Sequence, residues 1–262
     1  MGIGGRLARR YVFGRSRFEP AFRRLHQAAL AGLNFGAPSP ATSGEAWVLD
    51  HLAEMTTADT LVVFDVGANV GDYAQEVLRR LDRVRLYCFE PSPSAFARLS
   101  RAVADKRAIL RPYGLSSSQA TKPLYADSPG SGLASVYPRD LRHVGLASTS
   151  TETAQLRRLD DVCAEEGAEA IDLLKLDVEG HELDVLRGAE RMLATDAIQA
   201  IQFEFGGANI DSRTYLRDFF ALLGDRFRIH RILKDGLVPL ETPSETDEIF
   251  VTANYLCLRR PR

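Results

Sequence analysis

The sequence predicts an α/β fold, doubly wound in Rossmann fashion around a mostly parallel sheet. Three observations carry this prediction. Leu61-Val62-Val63-Phe64 is a short, unbroken apolar run rich in β-branched residues, the pattern of a strand buried on both faces. A glycine-bearing stretch follows at once, Asp65-Val66-Gly67-Ala68-Asn69-Val70-Gly71. After it, Tyr73 or Ala74, Val77, Leu78 and Leu81 recur at helical spacing, so the glycines sit where a strand turns into a helix.

The elements follow in order. In the first thirty-five residues Arg6, Arg9, Arg10, Arg15, Arg17, Arg23 and Arg24 face only Glu19, seven against one, or +6. The whole chain carries −2, so the remainder carries −8. Leu7, Tyr11, Val12, Phe18, Phe22, Leu25 and Leu30 lie between the arginines, partly at helical spacing. Residues 1–42 are therefore expected to form a basic helical extension. It is expected to pack on the domain that follows, residues 43–262, with its arginines in solvent; peripheral contact with an anionic membrane surface is the alternative. Residues 34–44 are turn-rich. Thr42 or Ser43 is placed to cap a helix through Trp47, Val48, His51 and Leu52, with Glu45 in its dipole-favoured first turn. Trp47 is expected in the core.

Strands are expected at 61–66, 84–90, 109–113, 171–176 and 200–205, with two antiparallel strands at 227–233 and 249–258. Leu183, Leu186, Ala189, Met192 and Leu193 mark one apolar helix face after the fourth strand. Residues 119–155 break this rhythm with Pro123, Pro129, Gly130, Gly132, Pro138 and a Ser/Thr run. They are expected to form an insertion over the active site, with 122–126 pairing with 151–156 as a hairpin. Substrate choice is expected to reside there.

Composition fits an enzyme of one main domain, with 262 residues, 45% hydrophobic and 26% charged. Cys88, Cys163 and Cys257 are odd in number and widely spaced, so buried thiols in a reducing compartment are expected rather than disulfides or zinc. No apolar run approaches the roughly 18 residues of a membrane span, and no signal-peptide core is seen, so a cytoplasmic location is expected, peripheral to the membrane's inner face at most. The net charge disfavours nucleic acid as a partner.

Two cofactor classes compete for the glycine loop. A dinucleotide site wants G-x-G-x-x-G, and Gly67-Ala68-Asn69-Val70-Gly71 lacks the middle glycine. S-adenosyl-L-methionine suits it better. Gly67 and Gly71 allow close backbone approach, with Ala68 and Asn69 between them, and the helix start favours a carboxylate. Asp65 is placed to help hold an ammonium group. Glu90, ending the second strand beside Pro91, can accept from both ribose hydroxyls. The alternative for the pair is a helix cap and a solvated strand end. Ser116, after the third strand, is a further cofactor candidate.

Three motifs in order, DVGANVGD (65–72), FEPSP (89–93) and LKLDVEGHE (174–182), resemble those of the FkbM family of S-adenosylmethionine-dependent methyltransferases. Arg187-Gly188-Ala189 and Phe203-Glu204-Phe205 extend the match, which runs from about residue 43 to the C-terminus. The resemblance implies a class I methyltransferase fold, a seven-stranded doubly wound sheet with an antiparallel C-terminal strand. It also implies O-methylation of hydroxyls on a sugar, glycan, glycolipid or polyketide-like small molecule.

Methyl transfer asks for in-line alignment, exclusion of water and removal of the hydroxyl proton. Asp177, Glu179 and His181 crowd the turn after the fourth strand. His181, nearest neutrality in pKa, is the first choice of base. Asp177 is expected to orient it or abstract the proton, and Glu179 to contact the acceptor or shape the turn. Glu204, ending the fifth strand, is expected to bind acceptor hydroxyls or act as base. Carboxylates at 177, 179 and 204 suit magnesium, but nothing in the spacing demands a metal, and none is expected to be obligatory. Two rival readings share this fold. A nicotinamide oxidoreductase is disfavoured by the missing glycine. A non-catalytic cofactor- or glycan-binding module is disfavoured by the intact Asp65, Gly67, Gly71, Glu90 and Asp177.

Overall fold

The computed structural model describes residues 9–37, 40–55, 58–147 and 149–261; Arg6 and Leu7 of the basic segment lie outside them. Helix α1 (Glu19–Gly32), the single turn α2 (Pro40–Ser43) and α3 (Glu45–Met55) precede β1 (Leu61–Val66). Then come α4 (Asp72–Arg80), β2 (Val84–Phe89), α5 (Pro93–Ala102), β3 (Ala108–Arg111) and β4 (Gly114–Ser116). The hairpin strands β5 (Ala120–Ala126) and β6 (Ser150–Arg158) lead to α6 (Leu159–Glu166), β7 (Ile171–Leu176), α7 (Glu182–Arg187) and α8 (Glu190–Ala194). The chain closes with β8 (Ile198–Phe205), α9 (Ala208–Ser212), α10 (Leu216–Leu223), β9 (Phe227–Leu233), β10 (Gly236–Leu240) and β11 (Ala253–Arg259).

The main sheet has eight strands in the order β10-β9-β11-β8-β7-β1-β2-β3, one more than expected. Strands β1, β2, β3, β7 and β8 are parallel, and β11 runs antiparallel to both β8 and β9. The additional strand is β10, an edge hairpin partner of β9. It is short and carries Pro239, which an edge strand tolerates and an apolar-run search passes over. The last strand starts at Ala253 rather than Ile249, because Ile249 and Phe250 pack against the core before pairing begins.

Strand residues alternate between two apolar layers. Phe64, Phe89, Leu174 and Phe203 face one layer, while Val63, Leu86, Leu173 and Ala200 face the other. Both faces are covered, which is why the central strands read as continuous apolar runs. The three cysteines are buried and unpaired. Trp47 is half-buried and stacks on His51 at 4.1 Å.

Gly114–Ser116 leaves the main sheet for a small one of order β4-β6-β5. The expected hairpin forms, but 122–126 pairs with 150–154 rather than 151–156, Lys122 opposite Ala154 and Ala126 opposite Ser150. The expected single helix over 183–193 is two, broken at Gly188, where a side chain would strike the backbone carbonyl of Ser116. The buried Asp160 carboxylate then accepts from the Arg191 and Met192 amides at the start of α8 (2.7 and 3.1 Å).

The basic extension departs from expectation. No residue of α1 is buried, and only Leu30 packs against the core. The chain is anchored beyond the helix instead, by the buried Phe35 and by the Gly36 amide donating to the Thr252 carbonyl.

Gly67 lies at φ +85°, and a Cβ there would fall on the Asp177 carbonyl oxygen. Gly67→Ala is therefore expected to destabilise the fold by on the order of 1–3 kcal/mol in urea denaturation. Gly236→Ala, with nothing within 4 Å, is expected to stay within about 0.5 kcal/mol.

Candidate functional site

At the carboxyl ends of the parallel strands two chambers meet, both lined by Gly67, Asn69 and Asp177. The first spans about 550 Å³ including its open mouth, with apolar walls from Leu115, Leu124, Val136, Leu156 and Val178, and with Glu90, Pro91 and His181 also in its lining. The second spans about 760 Å³ including its open mouth and is polar, lined by Ser43, Glu45, Tyr73, Lys175, Glu204 and Asn254. Ala68 also faces the second.

The loop from β1 to α4 is fixed through Glu90. One Glu90 oxygen accepts from the Asn69 amide (2.8 Å), the other from the Ser92 amide (2.7 Å). Burial pushes this carboxyl up to about 7, although both amide bonds favour its charge. Each oxygen keeps a second acceptor position for a ligand hydroxyl. Ser92 in turn accepts from the Ala95 amide at the start of α5 and donates to Glu152 of the hairpin. Asn69 adopts φ +46°, and its Oδ1 is buried without a hydrogen-bond partner, as is the Tyr73 hydroxyl. Such orphaned polar atoms beside a chamber fit a polar ligand. An apolar slot with a carboxylate, joined to a polar chamber, fits adenosine and a methionine tail.

Three cofactor candidates are turned away from the chambers. Asp65 is fully buried and faces Lys175 across the β1–β7 pairing, with Nζ 3.2 Å from Oδ1. A charge in that position needs an internal counterion more than a ligand. Gly71 serves packing: it lies at φ +97°, and a Cβ would meet Val103 at 2.8 Å and Leu99 at 2.9 Å. Ser116 points inward to His181, leaving Gly114 and Leu115 to line the apolar chamber.

His181 is likewise committed. Its Nε2 lies 2.9 Å from the Ser116 hydroxyl and its Nδ1 3.0 Å from the Tyr137 hydroxyl. Tyr137 donates onward to Asp184 (3.0 Å). The network assigns the proton to Nδ1, with Nε2 accepting from Ser116. At 2% exposure, burial drives the imidazole down to about 4. With both nitrogens engaged, it has no lone pair to offer an acceptor, and the expectation of a histidine base gives way to the carboxylates.

Carboxylate oxygens of Asp177, Glu179 and Glu204 lie within 4.8 Å of one another. Glu179 sits at φ +52° and is paired with Arg139 at 2.6 Å. Burial, then repulsion from Asp177, still raises it to about 8. Glu204 is held well above the usual carboxylate range by burial and by Asp177 and Glu179. A hard cation could be held by this trio; Arg139 already offsets part of its charge.

Sequence reading missed Lys175, Arg139 and Asn254, and saw Glu45 only as a helix-start residue. Glu45 is buried, bonded to Ser43 and to Gln202 (each 2.8 Å), with burial raising its pKa. Lys175 had a signal: a lysine in an otherwise apolar strand, Ile171–Leu176, must find a buried partner.

Glu182, 1% exposed, accepts from the Val178 and Gly180 amides (both 3.1 Å), and burial raises it to about 7. A carboxyl raised on folding contributes stability that is present below its unfolded value and lost as pH climbs through the folded one. His181 acts in the opposite sense, losing stability as pH falls from 6.5 towards about 4. Glu182→Gln is thus expected to gain on the parent protein between about pH 5 and about pH 8, by on the order of 2–3 kcal/mol. Parallel urea titrations read this; a constant difference would show that Glu182 does not titrate there. Glu90→Ala is expected to weaken S-adenosylmethionine binding by about 1–3 kcal/mol in calorimetry, and unchanged affinity would remove Glu90 from the site.

A family model described as "Methyltransferase FkbM domain" matches residues 65–227, more than half of the chain. Methyltransferase sdnD of Sordaria araneosa is 34% identical over 155 residues, covering 49% of this chain and 60% of that protein. The 2-O-methyltransferase NoeI of Sinorhizobium fredii is 32% identical over 148 residues, covering 50% and 58%. The hexuronic acid methyltransferase AglP of Haloferax volcanii is 31% identical over 165 residues, covering 61% and 60%. The matches thus span about three-fifths of these relatives' lengths. Among solved structures, fibrillarin of Aeropyrum pernix with S-adenosyl-L-methionine is 15% identical with a TM-score of 0.41, covering 88% of this chain and 74% of that one.

Proposed function

Because the chain belongs to the methyltransferase FkbM domain family, we propose that it transfers a methyl group from S-adenosylmethionine to an acceptor hydroxyl. The acceptor we favour is a sugar or glycan, free or lipid-linked; a polyketide-like hydroxyl is the alternative within the same chemistry. The observation that carries this reading is the meeting of an apolar and a polar chamber at Asp177. Relatives named as a 2-O-methyltransferase and a hexuronic acid methyltransferase support a glycan hydroxyl.

In this reading Glu90 holds the ribose hydroxyls, and the walls of the first chamber exclude water from the adenine. Asn69 Oδ1 and the Tyr73 hydroxyl supply hydrogen bonds that nothing in the protein takes up. In the polar chamber the carboxyls of Glu45, Asp177 and Glu204 outnumber Lys175, so a cationic tail would favour their ionised forms. When bound, S-adenosylmethionine supplies a methyl on a sulfonium whose thioether leaves readily.

The protein then needs to aim the hydroxyl and take its proton. Asp177 is the carboxylate common to both chambers and is 38% exposed on its side chain. We assign it as the base: an acceptor hydroxyl aimed beside it would give up its proton to an Asp177 oxygen. Glu204, with its raised pKa, holds a neighbouring acceptor hydroxyl. Glu179, tied to Arg139, shapes the turn that presents Asp177.

Calorimetry with S-adenosylmethionine, S-adenosylhomocysteine and NAD comes first, then labelled methyl transfer to a panel of sugars and glycans. Asp177→Asn is expected to keep cofactor affinity and to cut turnover by about 10²–10⁴-fold. An unaffected rate sinks the assignment of Asp177. Binding without transfer to any hydroxyl favours the non-catalytic module.

A further inference from the structure

We propose that α1 and the arginine-rich segment before it dock on an anionic lipid surface. Among the described residues only the Leu30 end of this helix is covered, and none of its residues is buried. A lone helix of this length is marginal in water and gains most of its stability from packing an amphipathic face. Yet its large apolar side chains are left outside, with Phe22 at 38% and Leu25 at 63% exposure. Tyr11 and Phe13 are 52% and 50% exposed, and the Phe13 ring meets Phe22 edge-on at 5.6 Å. The segment therefore presents one apolar patch built from two stretches of chain.

The charge around that patch selects the occupant. Arg9, Arg10, Arg15, Arg17, Arg23 and Arg24 are all exposed, and Glu19, the only acid among them, pairs with Arg23. A second copy of the chain would set two such arginine groups against each other. Interleaved arginines and aromatic or aliphatic side chains match the two layers of a bilayer interface, phosphate headgroups above acyl chains. The placement is also productive. A few residues past the end of α1, Phe35 is anchored in the core and Ala37 lines the polar chamber. Docking would set that chamber beside the lipid surface, within reach of an acceptor carried there. Vesicle binding does not depend on the proposed chemistry, so the two readings fail separately.

The test is co-sedimentation of the full chain with phosphatidylcholine vesicles, with and without phosphatidylglycerol. Binding is expected only to the anionic vesicles, weakening as salt rises. The double variant Arg23→Glu/Arg24→Glu is expected to lose at least about 10-fold in vesicle affinity, and Phe22→Ser/Leu25→Ser to bind measurably less. Both are expected to retain the parent's S-adenosylhomocysteine affinity, which controls for folding. Equal binding to neutral and anionic vesicles, or none to either, would overturn the proposal. Self-association abolished by Phe22→Ser/Leu25→Ser, without vesicle binding, would overturn it in favour of a second copy.

Discussion

Lys175 stands in a strand buried at every position, with its ammonium 3.2 Å from Asp65 and 3.3 Å from Asp177. Breaking such a buried pair by removing one partner typically costs about 3–5 kcal/mol, because the other charge is stranded. The pair therefore constrains more than itself. It joins β1 to β7 at the point where the sheet's strand order reverses, which is where open α/β sheets gather ligands. It also ties the Asp177 carboxylate to the sheet interior. Gly67 completes the arrangement, since only a residue without a side chain lets the Asp177 carbonyl come so close.

Around that ammonium the acids are in excess; burial raises the pKa values of Glu45 and Glu204, and the neighbouring carboxylates add to the shift. Like charges in a poorly solvated site cannot all ionise without a counter-charge. Lys175 and Arg139 supply part of it. A positively charged ligand would supply more, so the protein's internal electrostatics and its cofactor preference are two aspects of one imbalance.

Most of the sheet was legible because strands buried on both faces leave an unmistakable apolar run; Leu61–Val66, Ile171–Leu176 and Phe227–Leu233 form where their patterns place them. The hairpin was legible for the opposite reason, since its prolines and glycines mark where the main rhythm stops; its register was not, for 122–126 pairs with 150–154. Side-chain direction was not legible. Asp65 and Ser116 lie at the right edge in sequence but turn inward to Lys175 and His181, and His181, which does line the apolar chamber, has both ring nitrogens taken by Ser116 and Tyr137. Arg139 escaped notice because nothing local in a loop announces that it will reach Glu179. The exposed helix was misjudged because periodicity reports an apolar face and says nothing of what lies against it.

The small sheet β4-β6-β5 shares no hydrogen-bonded strand with the large one. Its hairpin reaches the site through a few clasps: Ser135 to the Glu179 carbonyl, Tyr137 to His181, and Glu152 to Ser92. Residues between those clasps can lengthen, shorten or change composition without shifting the register of any of the eight strands. On the function proposed above, the hairpin would act as a visor whose residues can be exchanged to change the acceptor while the carboxylates and strands beneath stay in place.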